Sequence, residues 1–320
     1  AMMLTLRPVR IYERVRLFCY KLLNGSLLRI CFLHLSSLEY CLLLRSCLVF
    51  RLTNYRSKPR RELFIIMKWR NDAGLAGKSV VVTGAAGGIG SAVARGFAEA
   101  GSKVLLVDIP SASLDDVLKS LTGSGHQIFP CDLSDLQGHV NIFEKAAGAA
   151  EVVALAHCAA VLRRRSTVDD VTEEDWDLQI DVNMKATFFL NRTAHSHFKK
   201  NGTKGSIVNF SSQGWWTGGF GGSVVYAGSK GGVVSMTKGL ARSFASDGVR
   251  VNAVSPGGVD TMMMTGNQSA EQLASFVSMI PMGRLATPEE MVGPVIFLAS
   301  EASSFVTGTV ANVSGGQLMY

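Results

Sequence analysis

The feature that most constrains the fold is a glycine-rich turn between a short apolar run and an amphipathic stretch. Val80-Val81-Val82 is β-branched and continuous, which is typical of a strand buried on both faces of a parallel sheet. The turn Thr83-Gly84-Ala85-Ala86-Gly87-Gly88-Ile89-Gly90 follows directly, and a helical pattern over 91–100 ends at Gly101. Small residues let the backbone turn tightly here, so that a phosphate group could approach the N–H groups at the start of the helix.

The same alternation of short apolar runs and amphipathic stretches continues to the end of the chain. Thr287-Pro288-Glu289-Glu290, for example, places Thr at the N-cap, Pro at N1 and Glu at N3 of a helix. Seven strands separated by helices predict an α/β fold with a doubly wound, parallel, seven-stranded sheet of the Rossmann type. The predicted strands cover 80–82, 104–107, 126–130, 152–156, 206–210, 249–254 and 309–313, and the predicted helices cover 91–100, 111–121, 134–147, 173–199, 225–246 and 288–300.

Charge is distributed unevenly along the 320 residues. Residues 1–70 contain 14 of the 32 Lys and Arg but only three of the 25 acidic residues, whereas the rest of the chain contains 18 basic and 22 acidic residues. The basic character therefore belongs to one end, and the body gives no indication of nucleic-acid binding. A chain that is 47% hydrophobic and 18% charged can bury a large core, which excludes a wholly disordered protein.

Residues 1–66 are basic and rich in Leu, Arg and Cys, and we interpret them as an N-terminal extension outside the fold. Charged residues interrupt every apolar run, so no window supplies the roughly 20 apolar residues of a membrane span. Residues 67–320 then form one domain of 254 residues, with Met67 as a plausible start. We expect a cytoplasmic protein, while an organelle presequence or a membrane or partner tether within 1–66 are alternatives.

Asp108 ends the second predicted strand, 18 residues after Gly90. A carboxylate at this place can accept hydrogen bonds from the ribose hydroxyls of a bound dinucleotide. It would also repel a 2′-phosphate, and no Arg or Lys follows in Ile109-Pro110-Ser111. The sequence therefore favours NAD over NADP, with a solvated loop carboxylate as the alternative interpretation of Asp108.

Tyr226 and Lys230 are spaced so that they share one face of a predicted helix. An ammonium near a phenol favours the phenolate, which would bring the Tyr pKa towards working pH. Ser212 follows the strand over 206–210, where its hydroxyl could reach a substrate carbonyl beside the Tyr. Asn183 lies inside the long predicted helix, where such a residue is more often chosen for packing than for chemistry.

Taken together, these residues resemble the short-chain dehydrogenase/reductase family over about residues 75–320, in the same order and spacing. The resemblance implies that Tyr226 is the general acid or base, that Lys230 lowers its pKa and holds the nicotinamide ribose, and that Ser212 orients the substrate oxygen. It further implies that Asn183 completes the tetrad and holds a proton-relay water. The implied cofactor-binding residues are Gly84, Ala86, Gly88, Ile89, Gly90, Asp108, Ile109, Asp132, Leu133, Ala159, Pro256, Gly257, Val259 and Thr261, together with Tyr226 and Lys230.

The function that the resemblance implies is hydride transfer between NAD and a small-molecule secondary alcohol or ketone, by a homotetramer. One alternative is a reductase of carrier-bound 3-oxoacyl chains, which the basic run Arg163–Arg165 would suit. Another is a nucleotide-binding sensor without turnover. We expect no metal site, because His157 and Cys158 would point to opposite faces of a strand.

The chain departs from the family pattern in two places. Where the family has Asn-Asn-Ala-Gly after the fourth strand, this chain has His157-Cys158-Ala159-Ala160, which puts local stability in question more than catalysis. The helix over 225–246 contains Gly228, Gly231 and Gly232, for which we expect close packing against another helix, in this chain or a second copy.

The segment 260–282 is predicted to act as a lid. It follows Pro256-Gly257-Gly258, a plausible hinge, and it contains three consecutive Met residues that would give an adaptable apolar surface. We expect it to close over the nicotinamide and substrate, with Thr261 bonding the carboxamide.

Overall fold

A computed structural model of the chain describes residues 73–266 and 268–320. The extension predicted over residues 1–66 lies outside the described residues. Within the described part, no helix is long and apolar enough to cross a membrane. The same residues contain no group of three or more His, Cys, Asp or Glu side chains arranged to hold a metal ion.

Seven parallel strands form the sheet at the centre of the described residues. They are β1 (Ser79–Thr83), β2 (Lys103–Asp108), β3 (Gln127–Pro130), β4 (Val152–His157), β5 (Ser206–Phe210), β6 (Arg250–Pro256) and β7 (Val310–Val313). Their order across the sheet is β3-β2-β1-β4-β5-β6-β7, and every neighbouring pair is parallel. This confirms the predicted doubly wound sheet.

Helices cover both faces of the sheet. The α-helices are α1 (Gly88–Glu99), α2 (Asp115–Ser120), α3 (His139–Ala147), α4 (Glu173–Ile180), α5 (Ala186–Asn201), α6 (Gly214–Thr217), α7 (Val224–Phe244), α8 (Met262–Thr265), α9 (Ala270–Ser278) and α10 (Val292–Ala299). Short 3₁₀ helices cover Leu136–Gly138, Gly221–Ser223, Ala245–Asp247, Pro288–Met291 and Glu301–Ser303.

The hydrophobic core consists of two layers, one on each face of the sheet. Val80 and Val82 of β1 belong to the layer that contains Phe97 of α1, whereas Val81 belongs to the layer that contains Phe198 of α5. Successive strand residues point to opposite faces, so an unbroken apolar run serves both layers.

The strand order reverses at β1 and β4, where the chain leaves one half of the sheet for the other. A crevice for ligands opens outside the carboxyl ends of the strands at such a point. Thr83 at the end of β1 is in register with His157 of β4, which is in register with Asn209 of β5. All three are buried, so a row of polar side chains crosses three strands at this end of the sheet.

The largest departure from prediction concerns the helix expected over 173–199. It consists of α4 and α5, joined by a π-helical turn, Asp181–Lys185, in which the N–H of Ala186 donates to Asp181 O, five residues back. A π turn fits one extra residue into the helix, and apolar spacing in the sequence does not reveal it. Asn183 lies inside this turn.

Other boundaries differ in smaller ways. The helix predicted over 111–121 is reduced to α2, whose first turn carries the acidic pair Asp115 and Asp116 that suits a helix start. The start predicted at Thr287 is confirmed, because Thr287 N donates to Glu290 Oε2 at 2.8 Å, although its first turn is 3₁₀. The helices α6, α8 and α9 were not predicted.

Candidate active site

A large cleft opens at the carboxyl ends of β1, β2, β4, β5 and β6, with a volume of about 1220 Å³. This is more than the ~300–1,000 Å³ of a typical small-molecule site, so the cleft has room for a dinucleotide and a substrate together. Its walls come from the glycine-rich turn, the end of β2, the loop after β4, the start of α7 and the segment 256–279.

The glycine-rich turn lies against two other walls of this cleft. Gly84 has a φ of +64°, and a Cβ there would lie 2.7 Å from the backbone of Ala159, so a larger residue does not fit. A Cβ at Gly88 would lie 2.8 Å from Thr261 Cγ2. The first turn of α1 has no acidic residue, and Gly87 at its N-cap makes no side-chain cap. The N–H groups at this helix start are therefore available to an anion such as a pyrophosphate.

Asp108 lies beside this turn and contacts it directly. Its Oδ2 accepts a hydrogen bond from Ala86 N at 2.9 Å, and its Oδ1 accepts one from Ile109 N at 2.8 Å. The basic side chains in the described lining of the cleft are Arg164 and Lys230, and both belong to the end near Tyr226. Of the charged side chains in this lining, Asp108 is the one that contacts the glycine-rich turn.

Most of the predicted cofactor residues line the cleft together. They are Gly84, Ala86, Gly88, Ile89, Gly90, Asp108, Ile109, Ala159, Pro256, Gly257, Val259 and Thr261. Asp132 and Leu133 do not line it. Asp132 is exposed and its Oδ1 accepts from Ser134 N and Oγ at 2.9 and 2.8 Å, while Leu133 is buried in the core layer. A role for these two residues in cofactor binding stays a prediction.

Three of the four predicted catalytic side chains meet at the floor of the cleft. Tyr226 and Lys230 lie one turn apart on α7, and Ser212, just after β5, lines the cleft near Tyr226 and acts to lower the pKa of its hydroxyl. Ser212 Oγ also accepts from Gly214 N at 3.2 Å. Lys230 Nζ lies 5.7 Å from the centroid of the Tyr226 ring and donates to Phe210 O at 2.9 Å. The arrangement places two hydroxyl groups side by side with a buried ammonium behind them.

The pKa values of Tyr226 and Lys230 shift in opposite directions for the same reason. Loss of solvent raises the pKa of Tyr226 to about 12, although Ser212 and the charge of Arg164 act to lower it. The Tyr226 side chain still keeps some exposed surface, since the cleft is open. Loss of solvent lowers the pKa of the buried Lys230 to about 8. Lys230 Nζ donates to Phe210 O in the protein alone, and its effect on the Tyr226 pKa stays a prediction.

Asn183 is completely buried and its side chain is fully used by protein contacts. Val161 N donates to Asn183 Oδ1 at 2.8 Å, and Asn183 Nδ2 donates to Val161 O at 2.9 Å and to Ser229 Oγ at 3.1 Å. These bonds hold the loop after β4 against α7. The Asn183 backbone carbonyl accepts from Thr187 Oγ1 at 2.7 Å, and its role in holding a relay water stays a prediction.

Known proteins resemble the chain over nearly all of this fold. A family model described as enoyl-(acyl carrier protein) reductase matches residues 84–317. A 3-oxoacyl-(acyl-carrier-protein) reductase of Rickettsia felis is 36% identical over 248 residues, which cover 77% of this chain and 98% of the relative. The chain belongs to the short-chain dehydrogenase/reductase family.

Two further proteins extend the comparison to other substrates. A 2-dehydro-3-deoxy-D-gluconate 5-dehydrogenase of Dickeya dadantii is 33% identical over 254 residues, covering 78% of this chain and 98% of the relative. A crystal structure of a putative NAD(P)-dependent gluconate 5-dehydrogenase from Beutenbergia cavernae, with NADP bound at low occupancy, matches with a TM-score of 0.71 at 37% identity. That match covers 77% of this chain and 98% of the other. This short-chain dehydrogenase/reductase is therefore an NAD(P)-dependent oxidoreductase that acts on CH–OH groups.

The arginines of the basic run after β4 differ in their contacts. Arg165 pairs with Asp175 through two hydrogen bonds of 2.6 and 2.9 Å. Arg164, in contrast, lines the cleft, and its Nη2 lies 3.3 Å from Met263 O. Within the described residues Arg164 makes no ion pair, so its charge is available at the substrate end of the cleft.

One wall of the cleft comes from the segment 260–282, in which sequence reasoning did not single out the individual lining residues. Gln272, Ser275, Phe276 and Met279 of α9 and its end line the cleft, and their spacing of three and four residues places them on one helix face. That spacing was the signal that could have revealed them. The segment 260–282 contains α8 and α9, and its closure on ligand binding stays a prediction.

The close packing against another helix that was expected of the glycines in α7 is found at one of them. A Cβ at Gly232 would lie 2.4 Å from Met184 Cε, so the absence of a side chain here leaves room for the π-helical turn that contains Met184. A Cβ at Gly228 would meet nothing within 4 Å, and at Gly231 the nearest atom would be Trp215 Cβ at 3.9 Å. Packing within the chain thus explains Gly232 and not Gly228.

Proposed function

We propose that this protein is an NAD-dependent dehydrogenase that interconverts a secondary alcohol and a ketone, with Tyr226 as general acid or base. The observation that carries the proposal is the placement of Ser212 and Tyr226 together in the lining of the cleft, with the Nζ of the buried Lys230 5.7 Å from the centroid of the Tyr226 ring. An oxygen of a substrate placed between the two hydroxyls would receive a hydrogen bond from each. This is the arrangement that general acid–base catalysis at a carbonyl requires.

Bound nicotinamide supplies or accepts the hydride at the carbinol carbon. Side chains of the protein transfer the proton to and from the substrate oxygen. In reduction Tyr226 donates its proton to the developing alkoxide, while Ser212 donates a hydrogen bond to the same oxygen. In oxidation both groups act in reverse. After reduction, Lys230 supplies Tyr226 with a new proton through a water held by the Asn183 carbonyl, and in oxidation the proton leaves Tyr226 by the same route. We assign Lys230 also to the nicotinamide ribose.

The raised pKa of Tyr226 determines which form of its hydroxyl is present at neutral pH. Because the pKa of Tyr226 is raised to about 12, its hydroxyl is protonated and ready to donate. Oxidation needs the phenolate, so its rate should rise with pH until the pH exceeds the pKa of Tyr226. A flat pH profile for oxidation between pH 7 and 10 would contradict the assignment of Tyr226 as the base.

We propose NAD rather than NADP as the preferred cofactor. Asp108 faces the adenosine end of the cleft, and the basic side chains of the described lining lie at the opposite end. A carboxylate there accepts ribose hydroxyls and repels a 2′-phosphate. The Beutenbergia relative carries NADP, so initial rates with both cofactors over a range of concentrations are the direct test. A clear preference for NADP would contradict the proposed preference for NAD.

Arg164 supports a second candidate, a substrate that carries an anionic group. Its guanidinium lines the cleft near Tyr226 without an acidic partner in the described residues, and guanidinium groups bind carboxylates and phosphates through paired hydrogen bonds. Both a sugar acid and a carrier-bound 3-oxoacyl chain would meet that requirement. Matched pairs of ketones with and without a carboxylate, together with a 3-oxoacyl thioester, discriminate between these substrates.

We also propose that the protein assembles as a homotetramer. Gly228 leaves a shallow, unfilled place on α7, and Trp216, Met319 and Tyr320 are exposed while Tyr320 stacks on Trp216. A second copy could cover these apolar groups. Light scattering on the full chain tests this, and an active monomer at working concentration would refute it.

The experiment that tests the proposed function is a panel of secondary alcohols and ketones, followed by the absorbance of the reduced nicotinamide. Tyr226→Phe is the matched control, since it keeps the ring and removes the transferable proton. Turnover in the wild type and not in the variant supports the proposal. Stoichiometric cofactor binding with no turnover on any substrate would favour the sensor.

A further inference from the structure

A buried chain of hydrogen bonds begins at His157, where this sequence departs from the family pattern. His157 ends β4, with 2% of its surface exposed. Its Nδ1 lies 2.8 Å from Thr83 Oγ1 on β1, and its Nε2 lies 2.9 Å from Thr187 Oγ1 on α5. Thr187 Oγ1 lies in turn 2.7 Å from the carbonyl oxygen of Asn183. The imidazole thus connects the sheet with the π-helical turn that holds a predicted catalytic residue.

The direction of each bond in this chain follows from the available protons. The Thr187 hydroxyl has one proton and donates it to the Asn183 carbonyl, so it must accept from His157 Nε2–H. Nδ1 then carries no proton and accepts from the Thr83 hydroxyl, whose oxygen accepts from Ala159 N at 3.4 Å. His157 is therefore held as one neutral tautomer, and burial lowers its pKa to about 3 in agreement.

Histidine is long enough to make this connection, and the Asn of the family pattern is shorter. An Asn side chain ends nearer its own strand, so it cannot reach both Thr83 and Thr187 at the distances found for His157. The loss of the family Asn therefore does not leave the end of β4 without support. His157 forms a bridge from β1 to α5.

We propose that His157 is a positioning residue for the reaction. Through Thr187 it holds the backbone carbonyl oxygen of Asn183, the atom to which we assign the relay water on the way to Lys230. The inference rests on the proposed function, because the relay matters only if Tyr226 exchanges a proton with a substrate. It adds a residue that touches neither substrate nor cofactor.

The same bridge also restrains the π-helical turn. Asn183 uses its side chain on Val161 and Ser229 and its carbonyl on Thr187, so every polar group of Asn183 depends on the turn keeping its shape. Without His157, Thr187 loses the donor that orients its hydroxyl. The turn is then free to relax towards a regular helix, which would move the Asn183 carbonyl.

The test uses three variants of the full chain and one control. His157→Phe keeps a ring and removes both hydrogen bonds, Thr187→Val breaks the next link with the same side-chain shape, and His157→Gln keeps one donor and one acceptor. The control is Asn252→Leu on β6, because Asn252 is equally buried and also makes two bonds, with Val306 O at 2.9 Å and Thr309 N at 3.1 Å.

We expect kcat to fall about 10- to 100-fold in His157→Phe and Thr187→Val, with KM within about twofold, and the pH profile of kcat to shift. The double variant should lose no more than either single one, since both break one chain. His157→Gln should recover most of kcat. Asn252→Leu should be destabilised without a change in the pH profile. An unchanged profile in His157→Phe, or the same loss of kcat in the control, would overturn the inference.

Hydrogen exchange gives a readout that does not need turnover. The amides of 181–187 should exchange at least about tenfold faster in His157→Phe and Thr187→Val, relative to the amides of β6, and should keep the native rate in Asn252→Leu. Equal protection of 181–187 in wild type and His157→Phe would overturn the inference. A wild type that turns over no substrate but shows this exchange pattern would refute the proposed function and leave the bridge in place.

Discussion

Lowering the pH from 7 to 5 should destabilise this protein through His157, and His157→Gln should remove that part of the loss. Burial lowers the pKa of the folded imidazole to about 3, and the positive charges of Lys230 and His139 act in the same direction. In the unfolded chain the pKa has its ordinary value of 6.5. The unfolded chain therefore binds a proton that the folded protein does not. The contribution is present above pH 6.5 and is lost as the pH falls towards 3.

The size of the effect follows from these two pKa values. Each pH unit inside the window changes the free energy of unfolding by about 1.4 kcal/mol, so the fall to pH 5 costs about 2 kcal/mol. Asp175 and Glu290, whose pKa values are lowered to about 2 by Arg165 and Arg284, lose their contributions only at lower pH. His157 should therefore dominate the difference between the two proteins at pH 5.

Urea unfolding followed by tryptophan fluorescence at pH 7, 6 and 5 measures this difference. We expect the free energy of unfolding of the wild type to fall by about 2 kcal/mol more than that of His157→Gln between pH 7 and 5. Asn252→Leu should be less stable at every pH but keep the wild-type dependence. Parallel curves for wild type and His157→Gln would mean that the folded imidazole takes up a proton freely, and the neutral tautomer would then be wrong.

Three further predictions concern the cleft. Tyr226→Phe should lower kcat by at least about 10²-fold and leave cofactor affinity nearly unchanged, as measured by steady-state kinetics and a fluorescence titration. Asp108→Ala should narrow the preference between NAD and NADP, measured as the ratio of kcat/KM values; an unchanged ratio would remove Asp108 from cofactor selection. Gly84→Ala should cost about 1–3 kcal/mol more in urea unfolding than Gly202→Ala, because both have a φ near +65° but a Cβ at Gly202 meets nothing within 4 Å. Equal costs would show that the contact with Ala159 relaxes.

The sheet was predictable from the sequence because its strands are local apolar patterns. Val80–Val82 is apolar on both faces, and a strand with two buried faces fits only the interior of a layered α/β fold. The Tyr226 and Lys230 pair was predictable for a similar reason, since helix geometry fixes the relation between residues four apart. Both depend on neighbours in sequence and need no knowledge of the tertiary contacts.

Features set by distant partners were not predictable in this way. The π-helical turn at Asn183 exists where Val161, 22 residues away, pairs with its side chain and Gly232 admits Met184. The three arginines after β4 look alike in sequence. In the folded chain Arg165 pairs with Asp175, and the positions of the two residues in the fold determine this pairing.

The short segment after β4 connects parts of the site that the motifs treat as separate. Ala159 packs against the glycine-rich turn, Val161 is hydrogen-bonded to the Asn183 side chain, and Arg164 lines the cleft near Tyr226. His157 anchors the start of the same segment and reaches Asn183 from the other side through its bridge. Because one segment contacts the glycine-rich turn, Asn183 and the cleft, we expect a change at His157 to have effects beyond the sheet. Its effect should reach kcat before it reaches cofactor affinity, since the bridge ends at the relay and not at the glycine-rich turn.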